Sequence, residues 1–114
     1  MDIFNAIEHS DKPLIESLIK SGIDVNVTDE FGQTPLHLAI DMAFEEAIYV
    51  FDTEHKIVQP SMDIISILLK NGANHLKEDN RGGSPIKWAE ERGNEKFLTD
   101  LKELIRTNTT HKKD

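Results

Sequence analysis

No cysteine occurs in the 114 residues. Disulfides, thiol nucleophiles and thiolate-held zinc are therefore excluded. Long apolar runs are missing too. None approaches the roughly 18 residues of a spanning helix, so no membrane association is expected. Aromatics make up only 6 % of the chain, with one Trp and one Tyr. Basic residues are outnumbered, 13 Lys and Arg against 21 Asp and Glu, for a net charge of −8. Nucleic acid is consequently not the expected partner, because phosphate binding needs a basic patch. The start, MDIFNAIEHSDK, has neither the basic opening nor the apolar stretch of a secretory signal, which points to the cytoplasm. In that compartment Asn26-Val27-Thr28 and Asn108-Thr109-Thr110 are chance matches to a glycosylation pattern.

With 38 % hydrophobic residues, the chain has the length and composition of one folded domain with a modest core. It is organised around Asp29 to Ala39, DEFGQTPLHLA. Gly32 supplies a tight turn, Thr34 can cap a helix, and Pro35 suits the first helical position, where its missing N–H costs nothing. Leu36, Leu38 and Ala39 open an apolar helix face. The same signs return 50 residues later in Asp79 to Ala89, DNRGGSPIKWA. Here Ser84 replaces Thr34, Ile86 replaces Leu36 and Lys87 replaces His37, while Trp88 and Ala89 are expected on the core side.

These two stretches resemble the turn and first helix of an ankyrin repeat, whose signature is T-P-L-H-x-A with a period of about 33 residues. Leu18 to Asn26 and Ile67 to Asn74 resemble the end of the second ankyrin helix and the loop after it. Thr34 and Gly72 lie 38 positions apart, where a regular repeat puts about 21, so the middle repeat holds about 17 extra residues. They are placed at 44–60. The resemblance implies an all-α solenoid of paired antiparallel helices with β-turn fingers, capped at both ends. Its single domain covers 1–106, with repeats at about 1–28, 29–78 and 79–106, and 107–114 forms a flexible polar tail.

Along the chain, apolar spacing predicts a helix over 2–9 and another from Pro13 to Lys20, burying Leu14, Leu18 and either Ile19 or Ile15. A helix from Pro35 is expected to reach about Phe51, because 44, 47, 48 and 51 are apolar at helical spacing. A strand through Ile48 to Phe51 is the alternative, since β-branched and aromatic residues cluster there. Residues 52–60 read as an exposed loop. Ser61 can cap the following helix, and the last helix is expected from Asn94 to about Arg106.

Catalytic signatures are absent, so no enzyme activity and no cofactor are expected. There is no phosphate-cradling glycine loop, no nucleophile elbow and no HExxH. Glu45, Glu46, Asp52, Glu54 and His55 could gather around a metal, as a metal-dependent hydrolase would need, but loop acids more often form a solvated face. His37 is structural by the resemblance, bonding the Thr hydroxyl and backbone near the next loop. The family's concave face, made of fingers and first helices, implies a protein-binding surface. Carried over by position, its residues are Glu8, His9 and Thr28 in the first repeat, and Glu30, Phe31, Gln33, Asp41, Met42 and Glu78 in the second. The third contributes Asn80, Arg81, Glu91 and Arg92, and the insertion adds Glu45, Glu46 and Tyr49. Phe31 stands out as an aromatic on an exposed finger, unless it packs on its neighbour.

Residues 1–60 carry a net −9 and residues 61–114 a net +1. An acidic face of this kind suits a basic protein partner. The size and charge bring to mind an inhibitor or immunity protein that neutralises a toxin and is a monomer on its own. The alternative is a scaffold that associates with itself.

Overall fold

The computed structural model describes residues 2–54 and 61–110, with side chains for 2–45 and 61–108. Six helices follow in order: α1 (Ile3–Glu8), α2 (Lys12–Lys20), α3 (Pro35–Glu54), α4 (Asp63–Lys70), α5 (Pro85–Glu91) and α6 (Glu95–Thr110). No strand occurs among the described residues. Each helix pair is a hairpin, α1 on α2, α3 on α4 and α5 on α6. The inner helices α1, α3 and α5 pack side by side, and α4 packs against α6 in the outer row. No helix among the described residues is long and apolar enough to cross a membrane.

Local chemistry sets the helix starts. Asp2 accepts the Asn5 N–H at 2.9 Å, Asp11 accepts that of Leu14 at 3.2 Å, and Ser84 accepts that of Lys87 at 3.2 Å. Each satisfies a donor that has no partner inside the helix. Between the hairpins the apolar faces merge into one core. Ile7, Ile15, Leu36, Ile40, Ile65, Leu68, Phe97 and Leu101 are at most 2 % exposed. Burying each such side chain is worth about 1.5–3 kcal/mol.

The fingers are built twice in the same way. The Asp29 carboxylate accepts the N–H groups of Phe31 (2.8 Å) and Gln33 (3.0 Å), and the Asp79 carboxylate accepts those of Arg81 and Gly83, both at 2.9 Å. Neighbouring fingers then dock edge to edge. The Asn80 N–H donates to the Phe31 carbonyl at 3.0 Å, and its side-chain amide donates to the Glu30 carbonyl at 3.2 Å. Gly32 permits that approach: its φ is +77°, and a Cβ there would lie 2.9 Å from the Asn80 backbone nitrogen. Gly32→Ala should therefore cost about 1–3 kcal/mol in backbone strain alone, with further loss from the displaced finger. Urea unfolding would measure it, and an unchanged midpoint would contradict this account.

One layer further out, the Asn26 side chain joins the loops of the first two repeats. It accepts the Asn74 N–H at 2.7 Å and donates to the Gly72 carbonyl at 3.0 Å. Lys12 on α2 reaches Asp63 on α4 at 2.7 Å, an exposed pair worth little by itself.

Several expectations are corrected here. The strand alternative for 48–51 is overturned, because α3 is helical through Glu54 and takes in Asp52 to Glu54 from the expected loop. The rest of that loop, 55–60, lies outside the described residues. Ser61 is not the cap of α4. Met62 holds that position without a side-chain bond, while the Ser61 hydroxyl accepts the Asp63 N–H at 3.2 Å. In α2, Ile15 is the fully buried residue, and Leu14, Leu18 and Ile19 pack half-buried around it. Helix α6 continues past Arg106 to Thr110. The Thr107 hydroxyl and Asn108 amide donate to the Glu103 and Leu104 carbonyls, at 2.9 and 2.8 Å. Residues 111–114 lie outside the described region.

Candidate partner-binding groove

His37 ties the second repeat to the third, and that tie shapes the groove beside it. Its ring is fully buried. The Thr34 N–H donates to Nδ1 at 2.9 Å, and the Thr34 hydroxyl lies at the same distance. On the other side Nε2 is 2.8 Å from the Gly83 carbonyl. A carbonyl can only accept, so the arrangement requires neutral imidazole with its proton on Nε2. The Trp88 ring meets the His37 ring edge-on, with centroids 4.9 Å apart. A Cβ at Gly83 would lie 2.9 Å from the Trp88 indole nitrogen, so the backbone and the indole are in close approach here.

Trp88 is thereby held with one edge inward and remains half-exposed, where the sequence reading put it on the core side. Its outer part faces a groove of about 510 Å³ between the finger tips and α5. Phe31, 58 % exposed, stands on the other wall. Arg81, Lys87 and Glu91 supply the charge around them. Asp79 lies at the floor with its carboxyl held below the ordinary 3.8, chiefly by the Gly83 N–H and further by the Arg81 N–H and the Trp88 side chain, against partial desolvation.

A carboxyl with a lowered folded-state pKa stabilises the fold above its unfolded value, and that contribution is lost as pH falls through the folded value. Asp79 should thus contribute an acid-dependent loss of stability below about pH 3.8. Thermal unfolding of Asp79→Asn across pH 2–5 should lack that part of the slope. A parental slope in the variant would remove Asp79 as its source.

A family model for ankyrin repeats in many copies matches residues 3–51, and one for the single ankyrin repeat matches residues 31–80. The chain belongs to the ankyrin-repeat family. A putative ankyrin repeat protein of Fowlpox virus (strain NVSL) is 34 % identical over 68 residues, covering 60 % of this chain and 10 % of that protein. The human 2-5A-dependent ribonuclease is 29 % identical over 85 residues, covering 74 % of this chain and 9 % of that protein. The crystal structure of an ankyrin repeat domain from Acinetobacter baumannii AYE superposes with a TM-score of 0.67 at 25 % identity. It covers 94 % of this chain and 46 % of its own. The chain thus spans about a tenth of these curated relatives and just under half of that structure. Ankyrin repeats generally serve as protein–protein interaction modules and not as catalysts, and the likeness to the ribonuclease is a distant match between ankyrin repeats.

The ankyrin positions singled out in the sequence meet different fates. Phe31, Gln33, Asn80, Arg81 and Glu91 come together at the groove. Glu8, His9, Thr28, Glu30, Glu45 and Glu78 are exposed, and His9 is bonded through Nδ1 to the Asn5 carbonyl at 2.9 Å. Asp41 and Arg92 are tied to one another across repeats, and Arg92 also lies 5.1 Å above the Phe44 ring. Met42 is half-buried against the core. The side chains of Glu46 and Tyr49 lie outside the described residues, as do those of Asp52, Glu54 and His55. Among the described residues no three His, Asp or Glu converge as a metal site. Lys87 and Trp88 are groove residues that the sequence reading did not choose. Their signal was the departure from the T-P-L-H pattern itself, a Lys in place of His beside the chain's one Trp.

Proposed function

We propose that this ankyrin module docks a basic protein on its finger and inner-helix side and blocks it, as an inhibitor or immunity protein of a toxin would. The encounter takes place in the cytoplasm, the compartment expected from the sequence. The observation that carries this reading is the set Glu8, Glu30, Glu45 and Glu78, all exposed and without an ion pair among the described residues, alongside the exposed Phe31. Unneutralised acids speed the approach of a cationic surface, and an exposed aromatic supplies the contact area that holds it. The insertion, whose acids Glu45 and Glu46 add to the charge, would extend the contact at the far end of α3.

The test is affinity capture from the source cells at low and moderate salt, read by mass spectrometry. A basic protein retained at low salt and weakened at higher salt supports the proposal. Recovery of the bait alone at stoichiometric yield, with a molecular mass that rises with concentration, supports self-association instead. Phe31→Ala combined with Glu30→Lys should weaken capture at least tenfold, the order expected when an interface anchor is truncated, while leaving the melting temperature within about 2 °C, since both side chains are exposed. Full retention of capture by that variant would remove the finger from the interface.

A further inference from the structure

The chain holds seven Asn residues, and one of them, Asn71, precedes a glycine. After each of the other six, the next residue carries a Cβ that crowds the approach of its backbone nitrogen to the Asn side chain. Asn71 and Gly72 are both exposed at the end of α4, and the space where a Gly72 Cβ would stand is open. The last turn of the helix holds the two groups that could react with each other. The Asn71 amide donates to the Ile67 carbonyl at 2.8 Å, and the Gly72 N–H donates to the Leu69 carbonyl at 3.2 Å. The Gly72 carbonyl in turn accepts the Asn26 amide at 3.0 Å, and the Asn26 oxygen accepts the Asn74 N–H at 2.7 Å. The loop that starts at Gly72 is thus one of the ties between the first repeat and the second.

We infer that Asn71-Gly72 is a site of spontaneous deamidation, gated by the last turn of α4, and that its product loosens the tie between the first two repeats. When the turn opens, the Gly72 nitrogen gives up its proton and its electron pair attacks Asn71 Cγ. The Cγ–Nδ2 bond breaks, ammonia leaves with that proton, and a five-membered succinimide remains. Water then opens the ring at one of its two carbonyls. Breaking the bond from the nitrogen to Cγ gives aspartate. Breaking the bond from the nitrogen to the former backbone carbonyl gives isoaspartate, whose main chain runs through Cβ and Cγ and is longer by one carbon. By either route one water enters, one ammonia leaves, and a carboxylate replaces the amide. The turn delays the reaction because its hydrogen bonds engage both the leaving amide and the attacking nitrogen. The new carboxylate cannot donate to the Ile67 carbonyl, and it adds negative charge at the end of α4 that is already the negative pole. In isoaspartate the added carbon also displaces Gly72 from Asn26. This inference is independent of the protein-docking reading above.

The test incubates the whole protein in mildly alkaline buffer, folded and unfolded in guanidinium chloride, and follows every Asn by peptide mass spectrometry. Fragmentation distinguishes isoaspartate from aspartate. Position 71 should convert before the other six. Its conversion should be about tenfold slower in the folded chain than in the unfolded one, the factor that two exposed hydrogen bonds supply together. The isoaspartyl form, purified by ion exchange, should unfold at a lower urea concentration than Asn71→Asp, which carries the same charge on an unlengthened main chain. In an Asn26→Ala background that difference should shrink, because the tie is already lost. Asn71→Gln, whose longer side chain closes a ring far more slowly, should keep its amide under conditions that convert the parent. Conversion of another Asn first would overturn the site, and equal rates in the folded and unfolded chains would overturn the gate. Equal stability of the isoaspartyl form and Asn71→Asp, or a difference undiminished by Asn26→Ala, would overturn the link between the product and the first repeat.

Discussion

His37→Ala should lower the unfolding free energy by about 2 kcal/mol or more, because it leaves the buried Thr34 N–H without a partner and takes one of two hydrogen bonds from the Gly83 carbonyl, which keeps that of the Asp79 N–H at 2.9 Å. The Thr34 N–H and the Gly83 carbonyl both end on this ring, 2.9 and 2.8 Å away, and the ring itself is fully buried. An unsatisfied buried group costs about 1–3 kcal/mol and a lost hydrogen bond about 0.5–1.5 kcal/mol, so these two account for the figure before the lost Trp88 contact is added. Two further variants separate the halves of the bond. An Asn at 37 can offer an oxygen where Nδ1 stood and keep the Thr34 N–H, whereas a Gln reaches further and can donate to the Gly83 carbonyl. Each should fall between the parent and the alanine variant in urea unfolding. Because the ring joins the second repeat to the third, amide protection should decline first in α5 and α6. If His37→Ala abolished partner binding at unchanged stability, the ring would be a contact residue and the structural account would fail.

Phe97→Ala should be comparably severe, at about 3–5 kcal/mol, the usual range for deleting a fully buried phenyl ring. Phe97 is 2 % exposed on α6 and meets Phe44 of α3 edge to face, with centroids 4.6 Å apart. Such a pair adds about 0.5–1.5 kcal/mol beyond burial. Phe44 in turn sits beneath the Arg92 guanidinium, which is itself tied to Asp41. The loss therefore spreads to the point where the insertion begins, and α3 should lose helical signal in circular dichroism beyond what a cavity alone would cause. Phe97→Leu keeps most of the apolar volume and should cost less than half as much. Equal losses for the two variants would mean that the edge-to-face pair with Phe44 matters more than the volume.

The fold was legible because a repeat states its own chemistry twice. Asp29 and Asp79 bond their turns alike, and Ser84 caps α5 although it replaces a threonine, since the hydroxyl is what the position needs. Helix ends were less legible. Ser61 has the right hydroxyl for a cap but spends it two residues on, and the Thr107 and Asn108 side chains close the end of α6 against their poor helix propensity. The site was half legible. Position in the repeat identified Phe31, Asn80, Arg81 and Glu91, which line the groove. Charges counted along the chain did not reveal that Asp41 and Arg92 cancel across 51 residues, or that Lys87 sits beside Phe31. Those are facts about neighbours in space, and one-dimensional patterns carry them only where a repeat is regular.

The contacts that join the second repeat to its neighbours also bear on how quickly the chain finds its fold. Asn26 meets Gly72 across 46 positions, Asn80 meets Glu30 across 50, and Lys12 meets Asp63 across 51. In an uninterrupted array the corresponding separations would be near 33. Closing a loop of about 50 residues instead of about 33 costs roughly 0.4 kcal/mol more in chain entropy, about a twofold slowing if the closure falls before the transition state. A lengthened middle repeat is therefore a mild kinetic burden. In exchange, the turns and rings that join the repeats stay in register across the longer span.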